Sequence, residues 1–226
     1  MEDFFTMARS IAIDGPAGAG KSTIARKVAQ ELGFIYVDTG AMYRAMALYM
    51  LKKGVGADES DKIVSSCKEA DITIKHENNE QVVYLNGENV NGLIRTEEVG
   101  NMTSAISVNK AVREKLVELQ QDLAKTTDVV MDGRDIGTVV LPNANLKVYL
   151  TASSRVRAER RYKELVAKNV ECNLDEIEKD IIDRDYRDMH RDLSPLRQAD
   201  DATLLDSSDM TIEEVKDKII ELYKGA

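Results

Sequence analysis

Gly15-Pro16-Ala17-Gly18-Ala19-Gly20-Lys21-Ser22 is the stretch of this sequence that decides its fold. It fits the pattern G-x-x-x-x-G-K-[ST] at every fixed position. The apolar run Ile11–Ile13, which ends at Asp14, predicts a buried strand before the glycines. From Lys21 onward apolar residues recur at helical spacing as far as Leu32, and Gly33 stands where a helix C-cap is expected. A strand, a glycine-rich turn and a helix are the context that this motif requires.

The residue types in this loop suit a phosphate chain. Glycines let backbone N–H groups turn inward around phosphate oxygens, and the following helix offers its N-terminal N–H groups and the positive end of its dipole. Lys21 supplies a mobile cation for β- and γ-phosphates, and the Ser22 hydroxyl is a ligand for Mg²⁺ that arrives with ATP. A loop that only binds a nucleotide would show the same pattern. The predicted ATP- and phosphate-binding residues here are Gly15, Pro16, Ala17, Gly18, Ala19, Gly20, Lys21, Ser22 and Thr23, with Ser22 as the metal ligand.

Strands and helices alternate along the rest of the chain. This alternation predicts an α/β fold with a parallel sheet covered by helices, of the kind built around a P-loop. Further strands are predicted at Phe34–Val37, Val129–Met131, Leu146–Leu150 and Leu204-Leu205. Helices are predicted at Ala41–Lys53, at Thr96–Leu123 with a break near Val108-Asn109, at Ser153–Lys168, at Asn173–Arg191 and from Thr211 to about Lys224.

Residues from about 60 to 95 depart from this alternation. Ile72–Lys75 and Val82–Leu85 are strand-like and are separated by a polar segment. Asn86-Gly87 is a strong turn dipeptide. A small antiparallel sheet is therefore predicted, within an inserted subdomain of about 60–108 in a single domain of 1–226.

Composition limits the possible partners. The formal net charge of −9 argues against a nucleic-acid polymer as partner, because such binding normally needs a basic face. The N-terminus shows no signal-peptide pattern, and no apolar run is long enough to span a membrane. We therefore expect a cytoplasmic protein without a membrane partner, and nothing in the sequence requires more than a monomer. Cys67 and Cys172 could form a disulfide, although two reduced thiols are the simpler interpretation.

Arginines and their neighbours follow two predicted strands. Thr39, Tyr43 and Arg44 come after the second strand, and Arg134 and Asp135 come just after the third. Ligands of doubly wound sheets gather at the carboxyl ends of the strands, so both groups are well placed for a small anion. Arg44 alone could equally be a solvated helix arginine, and Arg134 and Asp135 could simply pair with each other.

A second set of arginines lies on the two long charged helices of the C-terminal half. Arg184, Asp188 and Arg191 share one helix face at i, i+4 and i+7, although a solvent-facing ion pair would have the same spacing. The preceding helix carries a cluster at Arg155, Arg157, Arg160 and Arg161. Guanidinium groups suit phosphate oxygens bidentately, so residues of about 154–192 are predicted to form a mobile, lid-like cover over a transfer site. Phosphoryl transfer needs mainly positioning and charge neutralisation, and this chain carries the parts for a small-molecule kinase.

Five motifs together make the chain resemble the bacterial cytidylate kinases, the CMP/dCMP kinases among the P-loop nucleoside monophosphate kinases. The resemblance runs from Ile11 to the C-terminal helix. Its most specific motifs are the third and fourth of the following set. The motifs are Asp14–Lys21, Asp38–Arg44, Ile94–Val99, Asp132–Val140 and Arg184–Asp188.

The resemblance implies roles for individual residues. It implies that ATP donates its γ-phosphoryl group, with Mg²⁺, to CMP or dCMP. Thr39, Arg113 and Asp135 would bond the cytosine edge, with Ser104 nearby, and Asp188 would hold the sugar hydroxyls. Some relatives have Ser in place of Thr39, which keeps the hydroxyl. The acceptor phosphate would be gripped by Arg44, Arg134, Arg184 and Arg191, the last three acting in catalysis with Lys21, and Arg157 would contact the ATP side of the lid.

Three functions remain open at this point. The first is a CMP/dCMP kinase, in which the Asp135 carboxylate accepts from the cytosine amine and repels the carbonyl of uracil. The second is another small-molecule P-loop kinase, for adenylate or shikimate, against which the insert and the pocket chemistry argue. The third is a nucleotide-dependent switch, which would need neither the arginine-rich cover nor an acceptor pocket.

Overall fold

The computed structural model describes residues 8–77 and 80–225. Its contacts divide the chain into two compact units, which we describe separately. The first unit contains Ile35–Thr127, and the second contains Arg9–Phe34 and Asp128–Ala226. The start of the chain, where no signal peptide is predicted, includes residues 1–7, which lie outside the described residues, as do Asn78 and Asn79 of the polar segment.

Helices and strands alternate through most of the described residues. The strands are β1 (Ser10–Asp14), β2 (Ile35–Asp38), β3 (Ile72–Glu77), β4 (Glu80–Leu85), β5 (Glu88–Asn89), β6 (Val129–Gly133), β7 (Leu146–Thr151) and β8 (Thr203–Asp206). The α-helices are α1 (Lys21–Leu32), α2 (Thr39–Lys52), α3 (Ser60–Glu69), α4 (Glu97–Ile106), α5 (Lys110–Thr126), α6 (Ser154–Ala167), α7 (Leu174–His190) and α8 (Ile212–Lys224). A π-helical turn, Ile136–Val140, follows β6.

The second unit is built on a parallel sheet. Four of the five strands of the main sheet lie in this unit, in the order β6-β1-β7-β8. Each neighbouring pair among them is parallel, with Ile13 opposite Asp132 and Val148. All five residues of the central strand β1 are buried, which explains the apolar run Ile11–Ile13 within it. This arrangement confirms the predicted P-loop type of α/β core.

Helix termini in this unit follow the capping signals of the sequence. Gly33 ends α1 in a left-handed conformation, and its N–H donates to the carbonyl of Ala29. The Asn173 side chain caps α7 by accepting from the N–H groups of Asp175 and Glu176. Thr211 and Glu214 form a complete capping box at the start of α8.

The first unit combines helices with a small antiparallel sheet. Strands β3, β4 and β5 pair antiparallel in that order, as predicted, and Asn86 and Gly87 make the turn between β4 and β5. A cluster of buried apolar side chains from α2 to α5 and from this sheet forms the core of the unit, with Met42, Met46 and Met50 along one helix. The break predicted near Asn109 is confirmed, because Asn109 caps α5 with its side chain.

Three elements are absent from the sequence prediction, and one of them is the two-residue strand β5. Helix α3 precedes the small sheet in a stretch that the sequence shows as polar, and it buries Ile63, Ser66 and Cys67 on one side. The π-helical turn has only five residues, too few for a periodic pattern to reveal. Cys67 and Cys172 are both free. In the described part of the chain, no helix combines the length and the apolar character needed to cross a membrane.

Candidate active site

The phosphate loop joins β1 to α1 within the second unit. Gly15 opens it with φ 149°, and a Cβ at this position would lie 1.9 Å from the Leu150 carbonyl oxygen on β7. No side chain fits there, because the backbone of the loop packs closely against the backbone of β7 at this position. Gly20 serves as the N-cap of α1 and has no side chain to offer its first-turn N–H groups. Those donors and the helix dipole favour an anion at this end.

Lys21, near the end of this loop, is buried. It is 6% exposed, and its Nζ donates to the Pro16 carbonyl at 2.7 Å. Burial lowers the pKa of Lys21 and the guanidinium of Arg134 lowers it further, whereas Asp132, Asp14 and Asp188 oppose that change. The positive charges of Lys21 and Arg134 therefore affect each other.

Carboxylates at the ends of β1 and β6 flank the loop. Ser22 Oγ donates to Asp132 Oδ2 at 2.9 Å, and Asp132 is buried. Asp14 accepts from the backbone N–H groups of Ile136 and Gly137 at 2.8 and 2.7 Å. Burial raises the pKa of Asp14 to about 6, although these two N–H groups favour its charged form. Asp14 thereby fastens the π-helical turn to the strand that enters the phosphate loop.

The acceptor-side residues predicted on β6 and α7 lie together in the second unit. Arg134 Nε donates to Asp188 Oδ2 at 2.8 Å, and Arg191 Nη2 lies 4.0 Å from Asp135 Oδ1. Burial opposes the charge of Asp188, but Arg134, Arg184 and Arg191 hold its pKa below the usual value. Both side chains of the Arg134–Asp188 pair are about one-fifth exposed, so this pair is not an ordinary solvent-facing contact.

The first unit contains the remaining residues predicted for the acceptor. Thr39 is buried at the first position of α2. The guanidinium of Arg113, itself buried, lies 5.6 Å from the ring centroid of Tyr43 and donates to the Ser107 carbonyl at 3.2 Å. A Cβ on Gly100 of α4 would lie 3.5 Å from Arg44 Nη1, so the side chain of Arg44, which belongs to α2, lies against α4. Ser104 is exposed on the same helix.

Asp38 organises the start of α2, a role that the sequence did not reveal. Its side chain accepts from the N–H of Ala41 and from Arg95 Nη2, at 3.0 and 2.9 Å. The Gln81 side chain pairs with the backbone of Asp38 through both its oxygen and its nitrogen. Asp and Asn are strong N-cap residues, so the presence of Asp38 just before the predicted helix could have indicated this cap.

The arginines of the predicted lid mostly bond to protein groups. Arg155 pairs with Asp175 and Glu178 on α7, at 2.8 and 3.0 Å. Arg160 and Arg161 bond to Ser207 and Glu164 respectively. Arg157, predicted to contact ATP, is buried, and its guanidinium contacts three protein oxygens.

Comparison with known proteins decides the family. The family model described as cytidylate kinase matches residues 11–225.

The chain belongs to the cytidylate kinase family.

Curated cytidylate kinases match nearly its whole length. The cytidylate kinase of Caldicellulosiruptor saccharolyticus is 50% identical over 214 residues, which cover 95% of each chain. The cytidylate kinase of Streptococcus pneumoniae (strain 70585) is 49% identical over 210 residues, covering 92% of this chain and 94% of the relative.

Among solved structures, a shikimate kinase from Bacteroides thetaiotaomicron shares the fold of this cytidylate kinase family member. Its TM-score is 0.50 at 14% identity, with 97% of this chain and 99% of the other covered. At this identity the likeness concerns the fold alone.

Proposed function

We propose that this chain transfers the γ-phosphoryl group of ATP to CMP or dCMP, forming CDP or dCDP and ADP. Membership of the cytidylate kinase family supports this reaction. The observation that carries it in the structure is that Arg134 and Asp188, which pair at 2.8 Å, both act on the pKa of Lys21, the buried lysine of the phosphate loop. A cation for the donor phosphates thus shares one environment with a guanidinium suited to a second phosphate.

On the donor side, the loop of Gly15–Thr23 would bind the ATP phosphates. Ser22 and Asp132 offer a hydroxyl and a carboxylate, the hard oxygen donors that Mg²⁺ prefers, so the residues present fit this ion. The Ser22 hydroxyl would hold the Mg²⁺ ion. When bound, this ion neutralises part of the negative charge on the phosphates. The described residues contain no group of three or more His, Cys, Asp or Glu side chains that is placed to hold a metal ion by itself.

The Lys21 ammonium has three N–H donors, so it can bind a phosphate oxygen in addition to the Pro16 carbonyl. Its present hydrogen bond to the Pro16 carbonyl is a neutral-acceptor contact, whereas a phosphate oxygen is charged. Burial lowers the pKa of Lys21, and an arriving phosphate would favour the ammonium form, because an opposite charge favours ionisation. The bound donor would therefore stabilise a positive charge that the transition state needs.

On the acceptor side, the arginines would grip the phosphate of CMP, with Arg134, Arg184 and Arg191 also stabilising the group in transfer. Asp188 would accept from the sugar hydroxyls, since the nearby guanidiniums keep it ionised. In the first unit, Thr39, Tyr43, Arg44, Ser104 and Arg113 would contact CMP. Asp135 would accept from the cytosine amine and so exclude uracil, since a buried polar group left unpaired costs affinity.

An ADP-release assay on the purified chain tests this function. Mg·ATP is supplied with CMP, dCMP, UMP, AMP or shikimate in turn, and turnover is expected with CMP and dCMP above the others. Activity confined to AMP or shikimate would replace the proposed acceptor with another small molecule. ATP binding without turnover of any acceptor would favour a nucleotide-dependent switch. A monomeric state and a cytoplasmic location stay predictions, and light scattering checks the first.

A further inference from the structure

Arg157 on α6 is held by three different segments of the second unit. Its Nε donates to the Ala152 carbonyl at 2.9 Å, and its Nη1 donates to the Ala17 carbonyl in the phosphate loop at 2.8 Å. Its Nη2 lies 2.6 Å from Asp185 Oδ2 on α7. Arg157 is 5% exposed and Asp185 is 8% exposed, so this ion pair is sheltered from water.

Asp185 belongs to a helix that is otherwise mostly exposed. It is the one residue of α7 that is classed as buried. Its second oxygen, Oδ1, is buried without a hydrogen-bond partner among the described residues. A buried carboxylate with one unsatisfied oxygen is costly, and natural proteins tend to keep such groups at functional sites. Asp185 also lies next to Arg184 and three residues before Asp188, both predicted to contact the acceptor.

The contact with Ala17 sets the orientation of one loop peptide. In a planar trans peptide, the Ala17 carbonyl and the Gly18 N–H point in opposite directions. Holding that carbonyl on Arg157 therefore turns the Gly18 N–H away from Arg157. Gly18 has φ +76°, and a Cβ on it would lie 3.3 Å from the Cβ of Arg157. The arginine thus packs tightly behind the loop as well as bonding to it.

We propose that the buried Arg157–Asp185 pair is a positioning device for phosphoryl transfer, which fixes the phosphate loop to the helix that carries Arg184 and Asp188. Through Arg157 the donor loop and the acceptor-side helix share one rigid link inside the second unit. In-line transfer depends on how accurately donor and acceptor groups are placed relative to each other. The role of Arg157 and Asp185 is to place other residues. The proposal rests on the proposed kinase function.

A second ion pair between the same two helices provides a matched control. Arg155 on α6 pairs with Asp175 on α7 at 2.8 Å, but the Asp175 side chain is 85% exposed. It contacts neither the phosphate loop nor the acceptor-side residues in the structure. The same Asp→Asn change can therefore be made at a buried link and at an exposed link between α6 and α7.

The experiment compares Asp185→Asn with Asp175→Asn in the full-length chain. For each variant, kcat and KM are measured with Mg·ATP and CMP, the Kd of Mg·ATP is measured without CMP, and folding is followed by circular dichroism. At a temperature where both are folded, Asp185→Asn is expected to lower kcat about tenfold or more, because misplacement of reacting groups acts on the chemical step. Its Kd for Mg·ATP should change by less than about threefold, and Asp175→Asn should keep kcat within about twofold, as exposed pairs contribute little.

Two results would overturn the proposal. The first is a folded Asp185→Asn with the kcat of the control. The second is a loss of ATP affinity with kcat retained at saturating ATP, which would assign the pair to ATP binding alone. A wild-type chain that fails to phosphorylate CMP would instead contradict the proposed function.

Arg157→Lys decides the matter if Asp185→Asn does not fold. Lysine keeps a positive charge opposite Asp185, but it lacks the planar fork that reaches Ala152, Ala17 and Asp185 together. A folded Arg157→Lys should therefore lower kcat about tenfold at saturating substrates, again because placement is lost. Wild-type kcat in this variant would show that the charge alone suffices, and the positioning role would be wrong.

Discussion

At the scale of single residues, the site is defined by ionisable groups that are buried next to groups of opposite charge. Asp14 directly precedes the phosphate loop and Lys21 belongs to it, and burial disfavours the charged form of each. Both side chains are buried from solvent, so each charge depends on a few protein groups for its stabilisation. The chain retains these costly groups where anionic phosphates are expected to bind, as perturbed groups often mark functional sites.

Replacing Lys21 by Ala should lower kcat by about 100-fold or more, because a preorganised cation stabilises charge that develops in the transition state. The measurement is steady-state kinetics with saturating Mg·ATP and CMP. Lys27→Ala is the matched control on the same helix, since the Lys27 side chain is 42% exposed and pairs with Glu213. Near-normal turnover in Lys21→Ala would remove this residue from the catalytic set.

Asp14 should make stability depend on pH. Folding raises its pKa from 3.8 to about 6, so the native state binds this proton more tightly than the unfolded chain does. The free energy of unfolding therefore falls as pH rises between about 4 and about 6, by about 3 kcal/mol in total at about 1.4 kcal/mol per pH unit. Urea unfolding from pH 4 to 7 should show a weaker decline in Asp14→Asn than in the wild type, with Asp175→Asn as control. Equal slopes in Asp14→Asn and the wild type would show that Asp14 titrates normally.

At the scale of elements, the π-helical turn after β6 and helix α7 present the acceptor-side charges. The turn begins immediately after Asp135, whose carbonyl accepts from the N–H groups of Val139 and Val140. Its first two N–H groups are taken by Asp14. Such π-helical turns are rare and often occur at functional sites. Here the turn fixes the backbone that carries Arg134 and Asp135.

Asp135→Ala should damage CMP turnover far more than ATP binding. The carboxylate is proposed to recognise the cytosine amine, and a site that loses such a polar contact commonly loses 10²-fold or more in kcat/KM, about 3 kcal/mol. The measurements are kcat/KM for CMP and the Kd of Mg·ATP, with Asp183→Ala on the exposed part of α7 as control. If ATP affinity collapsed while CMP affinity held, the base contact would be assigned wrongly.

At the scale of the whole molecule, the chain is acidic, and yet it gathers cations at one place. Its formal net charge is −9, while the second unit concentrates Lys21, Arg134, Arg184 and Arg191 around Asp188. A local positive field within an acidic protein favours small anions over a polyanionic nucleic acid, whose binding depends on an extended basic surface.

Ligand binding should stabilise the whole chain in proportion to affinity. A nucleotide at 100 times its Kd adds about 2.7 kcal/mol to the free energy of unfolding, which corresponds to roughly 5–10 °C in Tm for a chain of this size. Differential scanning fluorimetry should show such shifts with Mg·ATP and with CMP, and a smaller shift with UMP at the same concentration. Asp135→Ala should keep the shift with Mg·ATP and lose most of the shift with CMP. Equal shifts with CMP and UMP would contradict the proposed base selectivity.

Much of the fold could be read from local patterns. The phosphate loop, the alternation of strands and helices, the cap at Gly33, the helix break near Asn109 and the small antiparallel sheet are all confirmed. Each depends on neighbours within a few residues, where periodicity and capping chemistry act. Helix α3 was not predicted, because its short amphipathic pattern is dominated by polar residues.

By itself, the sequence determined the glycine-rich loop between β1 and α1, the type of sheet behind it and the family to which the chain belongs, because a backbone turn and a buried strand are specified by the residues that form them. Only the tertiary structure decided which charges meet. Nothing in the spacing shows that Asp14 holds the turn of Ile136 and Gly137, or that Arg157 bonds to Ala17 and Asp185. These contacts join residues between 28 and 140 positions apart, and whether a charge is buried or solvated depends on the packing of distant segments around it.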